Sequence, residues 1–141
     1  MDQTPNPSTN HHASCGCGSL SIVAQGAPAR VLLCSCISCQ KRTGTALGIT
    51  AIWPQASVVI TGPSTKWVRP GQGGRVIDHH FCATCGTTLW WRGDFAPGMT
   101  CIAGGCFDKG DFLDPGHAYW VSCRPAWFAS CDRIASSEQQ G

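Results

Sequence analysis

Apolar residues in this chain come in short runs that alternate with polar positions at a period of two or are rich in β-branched and aromatic side chains. Such runs predict strands. The first candidates are Leu20 to Ala24, Arg30 to Leu33, Leu47 to Trp53, Val58 to Thr61 and Lys66 to Arg69. Arg75 to Phe81, Thr87 to Trp91, Thr100 to Ala103 and Ala118 to Ser122 follow. The third run is the clearest, because alternation puts Leu47, Ile49, Ala51 and Trp53 on one face. Pro70-Gly71-Gln72-Gly73-Gly74 reads as the turn of a hairpin between the strand around Trp67 and the strand entering Cys82. With 17 glycines and nine prolines the chain leaves little room for helix. Only Ala29 to Thr43 is long enough, and cysteines interrupt it, so one helical turn is expected at Ser38 to Arg42. The fold class is mostly β.

Length and charge narrow the picture. A chain of 141 residues fits a single domain with one modest core. Charged residues make up only 13%, about half the usual share. A net charge of +2 without a basic cluster argues against nucleic acid as a partner. No run approaches the roughly 18 apolar residues of a membrane helix. Residues 1–12 are polar, with neither the basic start nor the apolar stretch of a signal peptide, and are expected to be a disordered tail. Residues 13–131 form the expected domain, and residues 132–141 a flexible C-terminal tail. A cytoplasmic location follows as an expectation, and in that reducing compartment metal ligation outweighs disulfides.

The cysteines carry the chemistry. Seven of the 11 lie in three clusters: Cys15-Gly-Cys17, Cys34-Ser-Cys36-Ile-Ser-Cys39 and Cys82-Ala-Thr-Cys85. The two pairs together supply four thiolates, enough to close a tetrahedral zinc site. Gly18 and Gly86 suit the tight turns that such zinc knuckles need. Cys34, Cys36 and Cys39 supply three, which leaves a position open for water or substrate, the hallmark of a catalytic zinc. Alternatively they close a second site by recruiting His79, His80, Cys101, Cys106, Cys123 or Cys131. The simpler reading makes Cys101, Cys106, Cys123 and Cys131 small apolar packing residues. His79 and His80 should face opposite sides of their strand.

Three stretches resemble the glutathione-dependent formaldehyde-activating enzyme family, which is grouped with the centromere protein V domain. They are Ala13-Ser-Cys-Gly-Cys-Gly18, Cys34-Ser-Cys-Ile-Ser-Cys-Gln-Lys-Arg-Thr-Gly44 and Phe81-Cys-Ala-Thr-Cys-Gly-Thr-Thr-Leu89. Weaker echoes are Trp53-Pro54, Thr61-Gly62 and the segment from His117 to Trp127. The resemblance spans about residues 13 to 128. It implies several coiled antiparallel sheets stapled by zinc knuckles, and two zinc ions per chain. In it, Cys15, Cys17, Cys82 and Cys85 hold the structural zinc, and Cys34, Cys36 and Cys39 the catalytic one. It also implies a carbon–sulfur lyase that joins glutathione to formaldehyde as S-hydroxymethylglutathione. One departure is visible: the position after the third cysteine of the triplet is often basic in the family, and here it is Gln40.

In that mechanism the open position binds a small thiol as its thiolate, and the sulfur attacks an aldehyde. Lys41 and Arg42 are the nearest cations to meet the thiol substrate, with Arg69, Arg75 and Arg92 as further partners for its carboxylates. The competing readings are a non-enzymatic zinc-stabilised binding module and a thiol redox or metal-storage protein. Exposed strand edges make a homodimer an expectation of the β fold.

Overall fold

The computed structural model describes residues 9–133, 135, 137 and 138. Two sheets carry the fold. A small one is built from β1 (Asn10–Ser14), β2 (Ser21–Gln25) and β5 (Val58–Thr61), in the order β1-β2-β5. The large one comprises β3 (Arg30–Cys34), β4 (Gly48–Pro54), β6 (Thr65–Pro70), β7 (Val76–Phe81), β8 (Thr88–Gly93), β9 (Met99–Ala103) and β10 (His117–Tyr119). Its strand order is β10-β3-β4-β9-β8-β7-β6. Every pairing is antiparallel except that of β10 with β3. The glycine-rich turn joins β6 to β7 as a hairpin, as its composition predicts.

The alternation in β4 explains how the sheets pack. Ala51 and Trp53, with Ile49 against them, point into a core shared with Ala13, Leu20, Ile22 and Ala24 of the small sheet side. Ile52 points the other way and packs with Trp91, Cys101 and Ala103. Ile52 is buried among neighbours of its own sheet, so β4 is apolar on both faces and strict alternation breaks there. Trp53 is fully buried, and its indole N–H donates to the Gly26 carbonyl at 3.1 Å. Trp53→Phe should therefore lower stability by about 1–3 kcal/mol, because the carbonyl keeps no partner and the smaller ring leaves space. Urea unfolding of the zinc-loaded protein measures it.

Strand β1 corrects the expected tail. Residues 10–12 belong to a strand, paired with Val23 to Gln25 of β2, so the folded unit begins before residue 13. The sequence hid it because β1 is an edge strand with a single buried apolar residue, Ala13, and its other anchor is His11 stacked on Phe112 at 3.8 Å. Residues 1–8, and residues 134, 136 and 139–141 of the expected C-terminal tail, lie outside the described residues. The last strand is also shorter than its pattern predicts. It ends at Tyr119, and the chain turns at Trp120 into a 3-10 turn over Val121–Cys123. The one α-helix among the described residues, α1 (Ile37–Thr43), forms where a helical turn is predicted, and Gly44 ends it in the left-handed conformation, its N–H on the Gln40 carbonyl. No helix among the described residues is long and apolar enough to cross a membrane.

Candidate metal centres

Two turns, one after β1 and one after β7, face each other. In the first, Cys15 N–H bonds to the Leu20 carbonyl at 2.9 Å and Gly18 N–H to the Cys15 carbonyl at 3.0 Å. In the second, Cys82 N–H bonds to the Thr87 carbonyl at 3.0 Å and Gly86 N–H to the Cys82 carbonyl at 2.8 Å. Gly18 and Gly86 close these turns at φ 81° and 78°, a conformation that side chains with a Cβ avoid. The sulfurs of Cys15, Cys17, Cys82 and Cys85 all lie within 4.8 Å of one another. Cys17 Sγ stands 3.7 Å from both Cys15 Sγ and Cys82 Sγ. A disulfide needs about 2.05 Å. Thiolates around zinc at about 2.3 Å would be separated by about 3.8 Å, the edge of the tetrahedron. The four cysteines therefore fit a closed zinc site and not a pair of disulfides.

Two hydroxyls support this cluster. Ser19 Oγ lies 3.1 Å from Cys17 Sγ and 3.2 Å from Cys82 Sγ, and Thr87 Oγ1 lies 3.3 Å from Cys85 Sγ. Thr87 also accepts the Gly16 N–H at 3.0 Å, which joins the two turns. The Ser19 hydroxyl, then the Cys85 and Thr84 amides, lower the Cys82 thiol to a pKa of about 7. Thr87, through its hydroxyl and its amide, lowers Cys85 to about 5. Hydrogen-bond donors aimed at sulfur favour the thiolate, the form that binds metal. The sequence signal for these hydroxyls is that each pair ends in Cys-Gly followed by Ser or Thr.

The second cluster forms where β3 runs into α1. Cys34 is the last residue of β3, and Cys36 is the N-cap of α1, its Sγ accepting the Cys39 N–H at 3.3 Å. A thiol thus fills the capping role usual for serine or aspartate, which fixes Cys36 and Cys39 on one turn. The three sulfurs lie within 4.8 Å of one another, and all three residues are half-buried. A hydrogen bond from Cys39 lowers the Cys34 pKa, and the same bond, with burial, raises that of Cys39.

Among the described residues no fourth donor joins this triplet. His79 and His80 do face opposite sides of β7: His79 lies between Trp67 and Trp91, and His80 stacks on Trp90 at 3.7 Å. Cys101 is buried, and burial pushes its thiol up to about 12, as befits an inert packing residue. Cys106 and Cys123 are half-buried, and the Cys131 side chain lies outside the described residues.

Of the expected cations, one reaches this region. Arg42 lays its guanidinium over the Trp91 ring at 4.2 Å, and its Nη2 is buried without a hydrogen-bond partner. Gly48 makes the room, since a Cβ there would stand 2.6 Å from Nη2. Arg42 lines a cavity of about 440 Å³ between α1 and the Cys82–Cys85 turn, with Thr43, Gly86, Thr87, Gly104 and Cys106. Lys41, one residue earlier, points into solvent. Arg69 is bonded to His79 and Arg92 to Thr100. A second cavity, of about 360 Å³, surrounds Arg92 with Asp78 and Asp94, which disfavours an anionic ligand there. Gln40, the departure from the basic residue, bridges the carbonyls of Ser35 and Cys123 at 2.9 Å each.

Comparison with known proteins adds the following. The model of a family described as glutathione-dependent formaldehyde-activating enzyme matches residues 10–123. No curated protein matches significantly. The crystal structure of a Rhodobacter sphaeroides protein shares the fold with a TM-score of 0.58 at 19% identity, over 77% of this chain and 98% of that one.

Proposed function

This chain belongs to the glutathione-dependent formaldehyde-activating enzyme family, and from that premise we propose that it is a zinc-dependent carbon–sulfur lyase. Its substrates are a small thiol, glutathione foremost, and formaldehyde, and its product is the S-hydroxymethyl thiol. The observation that supports this most is the contrast between the two cysteine clusters. Four thiols with hydroxyl and amide donors around them make a closed set, whereas Cys34, Cys36 and Cys39 offer three sulfurs and, among the described residues, no fourth.

We assign Cys15, Cys17, Cys82 and Cys85 to a structural zinc and the triplet to a catalytic one. A zinc ion at the triplet supplies the positive charge that holds a thiol deprotonated at neutral pH. Chain residues do the rest. Arg42 supplies the charge that meets a substrate carboxylate in the cavity beside α1, and Trp91 keeps its guanidinium in place. The thiol loses its proton to solvent as it binds. Its sulfur forms the new bond to the aldehyde carbon, the C=O π pair moves onto oxygen, and that oxygen takes up a proton from water. Lys41 is a contact of lesser weight, because solvent screens an exposed ammonium.

Arg42→Met keeps the packing on Trp91 and removes the charge. The KM for glutathione should rise about tenfold or more with kcat little changed, the value of one charge-assisted hydrogen bond. Lys41→Ala should change KM less than threefold. Formation of S-hydroxymethylglutathione from labelled formaldehyde, followed by NMR with the zinc-loaded protein, tests the activity itself. A rate equal to that of the uncatalysed mixture would overturn the lyase reading and leave the zinc-stabilised binding module and the thiol redox or metal-storage protein.

A further inference from the structure

Among the described residues, Trp120 is the one residue other than glycine with a positive φ, at φ 55° and ψ 39°. The left-handed region crowds the Cβ of any L-residue, so this conformation persists only where neighbours over-determine it. Here the neighbours belong to the segment that carries the triplet. Before the corner, β10 lies alongside β3 with Tyr119 beside Cys34, and Ser35 N–H donates to the Tyr119 carbonyl at 3.0 Å. After it, Cys123 N–H closes a turn onto the Trp120 carbonyl at 3.0 Å. The Gln40 side-chain amide holds the Cys123 carbonyl at 2.9 Å, and Arg124 Nε donates to the buried Ser35 Oγ at 3.2 Å. Ser35 and Gln40 flank Cys36 and Cys39 in the sequence. The strap from His117 to Arg124 is thereby fastened within the triplet, at Ser35, and just after it, at Gln40, and Trp120 is its corner.

The core makes little use of this indole. Trp120 is 51% exposed, Val121 beside it 54%, and Ile37, between Cys36 and Cys39 on α1, 55%. A large aromatic ring half in water on a disfavoured backbone lowers stability twice over, and packing explains neither cost. Residues held this way cluster where a ligand is clamped.

We infer that Trp120 is a substrate-positioning residue of the triplet site. Its indole is the apolar wall against which the carbon skeleton of a thiol lies while the sulfur engages Cys34, Cys36 and Cys39. The strap fixes that wall, and Gln40, which stands where the family often has a cation, ties it down. This rests on the reading of the triplet as a thiol-binding centre.

The test compares zinc-loaded wild type, Trp120→Gly and Trp120→Phe. Glycine adopts the left-handed region freely, so Trp120→Gly should unfold at the same or a higher urea concentration than wild type. By calorimetry its dissociation constant for glutathione should rise about tenfold, and Trp120→Phe should restore most of the loss. Unchanged affinity in a stable Trp120→Gly overturns the positioning role and leaves the thiol-centre reading standing. Parallel loss of stability and affinity also overturns it, since the indole would then be structural. If wild type fails to bind glutathione at all, the thiol-centre reading falls and takes this inference with it.

Discussion

Cys82→Ser should yield a chain that does not fold at ordinary temperature. Cys82 is almost fully buried, with its sulfur 3.7 Å from Cys17 Sγ and 3.2 Å from Ser19 Oγ. Its sulfur is one of four that converge from the turn between β1 and β2 and the turn between β7 and β8, a set that could hold one metal ion. Structural zinc contributes about 10–16 kcal/mol to the folding of small metal-dependent domains, against a typical net stability of about 5–15 kcal/mol. Serine cannot replace the thiolate, so losing one ligand of a closed set removes most of that contribution. Circular dichroism and urea titration of the purified variant would show it, and a chelator should do the same to wild type. A Cys82→Ser protein with wild-type stability would mean that the cluster does not fasten the fold.

Cys36→Ser should behave in the opposite way. Cys36 caps α1, and serine is among the best N-cap residues, so its hydroxyl can take over the Cys39 N–H. Stability should stay within about 1 kcal/mol of wild type. The triplet, however, falls to two sulfurs. Metal content should drop from two ions per chain to one, and lyase activity by about a thousandfold or more, the value of a Lewis acid worth several kcal/mol. Metal analysis beside steady-state kinetics separates the two losses. Retained activity with one ion per chain would move catalysis away from the triplet.

The two expectations differ because one cluster joins two turns far apart in the chain and the other lies within a single segment, yet the parts of both were legible in the chain. Each knuckle is a local object: two cysteines and a following glycine within five residues dictate a turn whose sulfurs converge. The triplet is equally local, since strand end, cap and first helical turn fall within six residues. The shared face of Ile49, Ala51 and Trp53 in β4 also survives into the structure, packed on residues of both sheets, while Leu47 lies before the strand.

What escaped depends on contacts distant in sequence. Strand β1 gains its hydrogen bonds from β2 and its anchor from Phe112, and nothing in Asn-His-His-Ala-Ser predicts either. The corner at Trp120 is set by Gln40 and Arg124, whose partners lie more than 80 residues away, so Ala118 to Ser122 reads as a plain strand. Ser19 and Thr87 matter only once the two turns meet. Lys41 and Arg42 look equivalent in sequence. Helical phase sends one to solvent and the other over Gly48 and Trp91.

The most direct measurement is a glutathione titration of the protein loaded with cobalt in place of zinc, read by its thiolate-to-metal absorption. Two ions per chain are expected, one with a four-sulfur spectrum that ignores glutathione. The other should gain absorption as a fourth sulfur binds, and that change should vanish in Cys36→Ser. A fully loaded wild type whose spectrum glutathione leaves untouched would contradict the claim that the triplet is an open, thiol-binding metal centre.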